Sequence, residues 1–310
     1  MASKDSTIKL LLLTFVVLGL TAACTDVKSE PTLGQTLTPS SMYPTQLETI
    51  TESMPLSTSS PLPSATFTAI PLGATADCLQ FEGEVRQESF ESKVLEEIFY
   101  FRVYLPPCYG AHQGMEYPVL YLLHGLGYND DQWDRLGVDE TADALIRAGE
   151  VAPFMIVMPR EPNFHIPADS DYERVIVEEL LPWVDSHYAS LAQREYRAIG
   201  GLSRGAAWSV HIGLSHWADF GSIGAHSLPI FEGDSSRVLR WLNEISSDSL
   251  PRIFIDIGQQ DRDLASAQAF EVSLNDNDIP HTWYLFSGSH TEEYWQAHLE
   301  IYLRWYSESW

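Results

Sequence analysis

From Phe81 onward, apolar runs alternate with amphipathic stretches. Strand-like runs fall at 81–90, 98–105, 118–123, 154–158, 196–200, 220–225, 252–257 and 282–286. Helix-like stretches lie near 139–148, 171–187, 204–215, 235–245, 262–275 and 291–307. In the second of these, Ile176, Leu180 and Val184 share one stripe and Glu178 and Glu179 lie off it, as in a helix with one buried face. Pro182 is expected to kink or break that helix, because proline lacks the N–H donor and crowds the carbonyl four residues back. Val119-Leu120-Tyr121-Leu122-Leu123 is apolar almost throughout, as a strand covered on both faces should be. Two early antiparallel strands followed by strand–helix alternation predict an α/β fold: an open, mostly parallel sheet with helices on both faces. Ligands in such sheets bind beyond the C-terminal ends of the strands, so functional residues are sought directly after them.

The first 75 residues read differently. Lys4 and Lys9 precede the apolar run 10–20, too short for a membrane span and suited to a signal-peptide core. The run ends in Thr21-Ala22-Ala23-Cys24, which resembles a bacterial lipobox. Residues 1–24 are therefore expected to be a signal peptide, with Cys24 lipidated as the mature N-terminus. Plain secretory cleavage near Ala23 is the alternative. Residues 25–75 are rich in Ser, Thr and Pro, have no periodic apolar face, and read as a disordered tether. That leaves one domain over 76–310. Export permits disulfides, and with Cys24 carrying lipid, Cys78 and Cys108 form an even pair. A bridge between them would tie the start of the domain to the loop after its second strand; two free thiols are the alternative.

The formal net charge of -25 argues against nucleic acid and anionic membrane surfaces as partners. Membrane contact is expected only through the lipid on Cys24.

Gly201-Leu202-Ser203-Arg204-Gly205 carries the chemistry. The pattern G-x-S-x-G places a serine on a sharp strand-to-helix turn, and a side chain at either glycine would crowd that turn. With 19 Gly in the chain the motif can arise by chance, so its context matters. A strand-like run precedes it, and Ala207, Val210 and Leu214 follow at helical spacing. A nucleophilic serine needs a base, and in this strand–turn–helix arrangement the chain order is serine, acid, histidine. His290 follows the strand 282–286. His281 precedes that strand and His298 falls inside the last helix. For the acid, Asp261 follows the strand 252–257 by a short loop, with Asp263 its rival. The oxyanion needs two backbone donors. Arg204, directly after the nucleophile, supplies one; Leu126 in His124-Gly125-Leu126-Gly127 supplies the other, with Gly127 as alternative. Trp133 and His226 are candidates for contacting substrate, and the Arg204 guanidinium could face it. Packing is the competing role for Trp133. Asp130, Asp131 and Asp134 lack the spacing of a calcium loop and read as a solvated turn.

Residues 80–310 are similar to the esterase family of α/β-hydrolases, the esterase D and feruloyl esterase group. The segments that carry the resemblance run from Tyr117 to Gly125, from Val177 to Asp185, from Gly200 to Ser203, from Ile279 to Thr282, and from Gly288 to His290. The resemblance implies an α/β-hydrolase fold and carboxylic ester hydrolysis without a metal or cofactor. It also implies Ser203 as nucleophile, Asp261 as acid and His290 as base. Two departures stand out. Ala206 replaces a second glycine after the elbow, and Ala225-His226-Ser227 replaces a serine–glycine pair near the acyl pocket. The expected function is thus an exported serine esterase acting on acyl-carbohydrate or aryl esters. Acyl transfer from the same acyl-enzyme, and a non-catalytic surface binding module, are the alternatives.

Overall fold

The computed structural model describes residues 78–310. The expected signal peptide, Cys24 and the tether through residue 75 lie outside the described residues. Eight strands form one sheet: β1 (Glu84–Glu91), β2 (Ile98–Leu105), β3 (Val119–Leu123), β4 (Met155–Pro159), β5 (Arg197–Leu202), β6 (Ser222–His226), β7 (Arg252–Gly258) and β8 (Thr282–Phe286). Their order is β1-β2-β4-β3-β5-β6-β7-β8. β2 pairs antiparallel with β1 and β4, and all other pairings are parallel. The expected α/β fold with antiparallel N-terminal strands is the one observed.

The helices are α1 (Gln132–Arg135), α2 (Val138–Arg147), α3 (Tyr172–Arg174), α4 (Leu181–His187), α5 (Arg204–Ser215), α6 (Val238–Glu244), α7 (Leu264–Asn275) and α8 (Glu292–Ser307). Every residue of β3, β4, β5 and β6 is buried, because helices cover both faces of the sheet centre. Strand residues alternate between the faces. Val119, Tyr121 and Leu123 join the core built with α4, α5, α6 and α7. Leu120 and Leu122 join the core built with α2 and α8. Among the described residues no helix is long and apolar enough to cross a membrane.

The disturbance expected at Pro182 takes a specific form. Between α3 and α4, residues Val175–Leu180 make a π-helical turn, and the Leu181 N–H reaches back to the Ile176 carbonyl. The wider turn accommodates a proline that has no N–H to give and would crowd a regular α-helical carbonyl.

Candidate active site

β5 ends at Leu202 and α5 begins at Arg204, leaving Ser203 alone on the turn at φ 53°, ψ −123°. A non-glycine residue rarely holds a positive φ, and such strain persists only where surrounding contacts enforce it. Here the Ser203 N–H donates to the His226 carbonyl at the end of β6, at 2.8 Å. A Cβ on Gly201 would strike the backbone of Gly205, and one on Gly205 would strike the Leu123 carbonyl of β3. Strand and helix therefore approach as closely as backbones allow.

His290 lies in the loop between β8 and α8. Its Nε2 is 2.8 Å from the Ser203 Oγ, and its Nδ1 is 2.9 and 3.0 Å from the two carboxylate oxygens of Asp261. An ionised carboxylate can only accept, so Nδ1 carries the hydrogen and Nε2 accepts from the serine hydroxyl. Burial pushes the Asp261 carboxyl up, but hydrogen bonds from His290, the Asp263 backbone N–H and Ser227 outweigh it. They hold the group below its ordinary value and keep it ionised. Ser227 in turn accepts from Trp295 Nε1 at 3.0 Å, and the Trp295 ring meets the His290 ring edge to face at 5.0 Å. Asp263 contributes its N–H to Asp261 at 2.8 Å, while its own carboxylate stays 3.5 Å from His290. Asp261, Asp263 and His290 are the one group among the described residues whose donor atoms lie within 4.8 Å of one another, as a metal site would need. The Asp261 and His290 atoms among them are already engaged in the hydrogen bonds just described.

The loop after β3 faces the serine. The Gly125 N–H is held by the Gln132 side chain at 2.8 Å, and Gln132 is fully buried. The Gly125 carbonyl accepts from His124 Nδ1 at 2.9 Å and from the Tyr128 N–H at 3.2 Å. Among the described residues, neither the Leu126 N–H nor the Arg204 N–H donates a hydrogen bond. For Arg204 the reason is its place at the first position of α5, where helical donors have no partner. A cleft of about 230 Å³ opens here, lined by Leu126, Tyr128, Ser203, Arg262, His290 and Trp295.

Three expectations about substrate contact need correction. Trp133 is 1% exposed and donates from Nε1 to the Leu123 carbonyl, so it packs beneath the loop instead of walling the cleft. His226 is 0% exposed. It bonds Asp256 through Nδ1 at 2.7 Å and Tyr306 through Nε2 at 3.0 Å, and stacks on Tyr302. The Arg204 guanidinium does not face the cleft as a free cation. It is paired with Glu161 at 2.8 and 2.5 Å and also donates to the His165 carbonyl. Glu161 is the residue that sequence reasoning missed. Its one signal is its place two residues past β4, where residues after strands collect.

An α/β sheet wound in this order, carrying a serine elbow after β5, an acid after β7 and a histidine after β8, defines an α/β-hydrolase. The chain belongs to the Putative esterase family, whose model matches residues 92–306. It is 33% identical over 153 residues to an endo-1,4-beta-xylanase/feruloyl esterase of Xylanibacter ruminicola, covering 46% of this chain and 21% of that protein. It is 30% identical over 152 residues to an esterase of Mycobacterium tuberculosis, covering 46% and 32%. The chain thus spans only a minor part of the length of these curated relatives. A solved ferulic acid esterase superposes with a TM-score of 0.67 at 26% identity, over 74% of this chain and 100% of that one. A ferulic acid esterase from Anaeromyces mucronatus, solved with ferulic acid, shares the fold at a TM-score of 0.60 and 23% identity, over 72% and 90%.

Proposed function

We propose that this protein is an exported serine esterase that hydrolyses carboxylic esters, with acyl groups on carbohydrates or aryl esters as its substrate class. The observation that carries the reading is the relay from Ser203 through His290 to Asp261, at 2.8 and 2.9 Å, beside two unpaired backbone donors. Ser203 Oγ attacks the ester carbonyl while His290 Nε2 takes its proton. The N–H groups of Leu126 and Arg204 bind the oxygen that becomes negative. Collapse of the tetrahedral intermediate breaks the bond to the alcohol, which leaves with the proton held by His290. Water then gives its proton to His290 and attacks the acyl-enzyme, releasing the acid and restoring Ser203. The substrate class rests on the feruloyl esterase names of relatives and neighbours and on export. Export is itself supported by the apolar run after Lys4 and Lys9.

The test is a screen of acetyl, feruloyl and longer-chain esters on the purified protein, with a fluorophosphonate probe as a second readout. Turnover and labelling at Ser203 are expected. Ser203→Ala should abolish labelling and lower turnover by several orders of magnitude. A wild-type protein that neither turns over nor labels would overturn the reading. Mass spectrometry of the mature N-terminus tests the lipid anchor, with acyl chains on Cys24 as the expected result.

A further inference from the structure

The two backbone donors beside Ser203 come from different parts of the chain, one from the loop after β3 and one from the start of α5. Something must hold them in register, since an oxyanion hole works only when both donors point at the same place. A continuous set of contacts joins them. The Gly125 carbonyl and the Leu126 N–H belong to one planar trans peptide and point in opposite directions. His124 Nδ1 holds that carbonyl at 2.9 Å, which aims the Leu126 N–H the other way. His124 Nε2 accepts from the Glu161 N–H at 2.8 Å. With one ring nitrogen donating and the other accepting, His124 is neutral, and burial lowers its imidazole in the same sense. From Glu161 the contacts pass to the side chain of Arg204.

That last contact is built as a fixed joint. Glu161 has 2% of its side chain exposed and Arg204 11%. Both carboxylate oxygens meet the guanidinium, a two-pronged geometry that fixes orientation as well as distance. Trp208 Nε1 also donates to Glu161, at 3.0 Å. The guanidinium lies among the rings of Phe164, Trp208 and Phe231, with centroids 5.8, 5.9 and 5.3 Å away. Arg204 is thus anchored at both ends: its backbone supplies a donor to the site, and its side chain is clamped to the residue that orients the other donor.

We propose that Glu161 is a positioning residue that holds the two oxyanion donors in register, through His124 to Leu126 and through the Arg204 side chain to the Arg204 N–H. The inference rests on the esterase reading above. It separates this residue from the reacting groups: Glu161 touches neither the serine nor the cleft, and acts only on where the donors point.

The experiment uses the full-length protein and the variants Glu161→Gln, Arg204→Gln and the double variant. Glutamine keeps the shape of Glu161 and removes the charge that makes the clamp. Arg204→Gln leaves the backbone N–H in place. Active sites are counted with the fluorophosphonate, so misfolded protein drops out of the denominator. A trifluoromethyl ketone serves as the second probe. Its carbonyl adds Ser203 Oγ, His290 takes the serine proton, and the adduct carries the same oxyanion as the ester intermediate. In each single variant, kcat per counted site should fall by about 10- to 100-fold with KM within about twofold. Ketone affinity should fall by the same factor as kcat/KM. The double variant, which carries no unpaired buried charge and guards against a folding failure of the singles, should lose no more than either single variant. Unchanged kcat per counted site and unchanged ketone affinity would overturn the inference while leaving the esterase reading intact. A wild-type protein without turnover or labelling would overturn both.

Discussion

Asp261 presents both carboxylate oxygens to His290 Nδ1, at 2.9 and 3.0 Å, whereas Asp263 offers that nitrogen one oxygen at 3.5 Å. The Asp261 side chain is 0% exposed and that of Asp263 is 23% exposed, so solvent weakens the second contact further. Asp261→Asn should lower kcat by about four orders of magnitude, because an amide can turn its N–H toward the ring and favour the wrong tautomer. Asp263→Asn keeps the backbone N–H that Asp261 accepts and should cost no more than about tenfold. Steady-state kinetics of both variants on one ester decide the assignment; a larger loss for Asp263→Asn would exchange the two roles.

A second prediction concerns α8 and the sheet beneath it. Gly200 and Gly224 are direct partners in β5 and β6, and a Cβ on either would occupy the place of the Tyr306 hydroxyl. That hydroxyl needs the space to reach His226 Nε2. Gly200→Ala should therefore destabilise the domain by about 1–3 kcal/mol, the usual range for overpacking. Removing the hydroxyl with Tyr306→Phe in the same background should recover part of the loss. Denaturant unfolding of the single and double variants measures both effects, and full stability of Gly200→Ala would refute the steric account.

His211 on α5 sits between Asp234 at 2.8 Å and Glu173 at 3.1 Å, away from the reacting groups. Burial pushes its imidazole down, but the bonds with Asp234 and Glu173 outweigh this and raise it to about 9. A raised imidazole stabilises the fold fully below its ordinary value of 6.5, and this contribution is lost as pH rises through about 9. The expected loss is on the order of 3 kcal/mol between pH 6 and 10. Glu173 behaves oppositely. Burial raises its carboxyl, hydrogen bonds from His211 and His216 lower it more, and its contribution holds above 4.5 and fades only in stronger acid. Urea unfolding at pH 6, 8 and 10 should show the alkaline loss in wild type and a flatter profile in His211→Gln.

Cys78 and Cys108 have Cα atoms 5.9 Å apart, within the range a disulfide spans. We propose that the domain carries this bridge in the mature protein. Reduction should then lower its stability by about 3–4 kcal/mol, as expected for a loop of this size. A Cys78→Ser/Cys108→Ser variant should show the lower melting temperature and no response to reductant. Identical melting of wild type with and without reductant would refute the bridge.

Much of the fold was legible because its strands are short apolar runs separated by amphipathic stretches. Val119–Leu123 needs no partner to read as a central strand, and Ser203, Asp261 and His290 each follow such a run. The four-residue α1 was not legible, since one turn is too short to show a helical period. His226 was misread for a different reason. It ends β6, where Ile223 and Ala225 face α5, so the pleat turns Ser222, Gly224 and His226 toward α8 and away from the cleft. Position after a strand says where the backbone is, not which way the side chain points.

The sequence by itself determined the order of the strands and of the longer helices, the elbow at Ser203, and the loops on which His290 and Asp261 lie, because these depend on local pattern and spacing. The tertiary structure decided what depends on contacts between distant segments. It set both Asp261 oxygens against His290 and left the Asp263 carboxylate at 3.5 Å, sent Trp133 and His226 into the core, and paired Arg204 with Glu161 across 43 residues. A guanidinium has no local cue for its partner. Its orientation follows from which carboxylate the folded sheet brings within reach, and only packing in three dimensions specifies that.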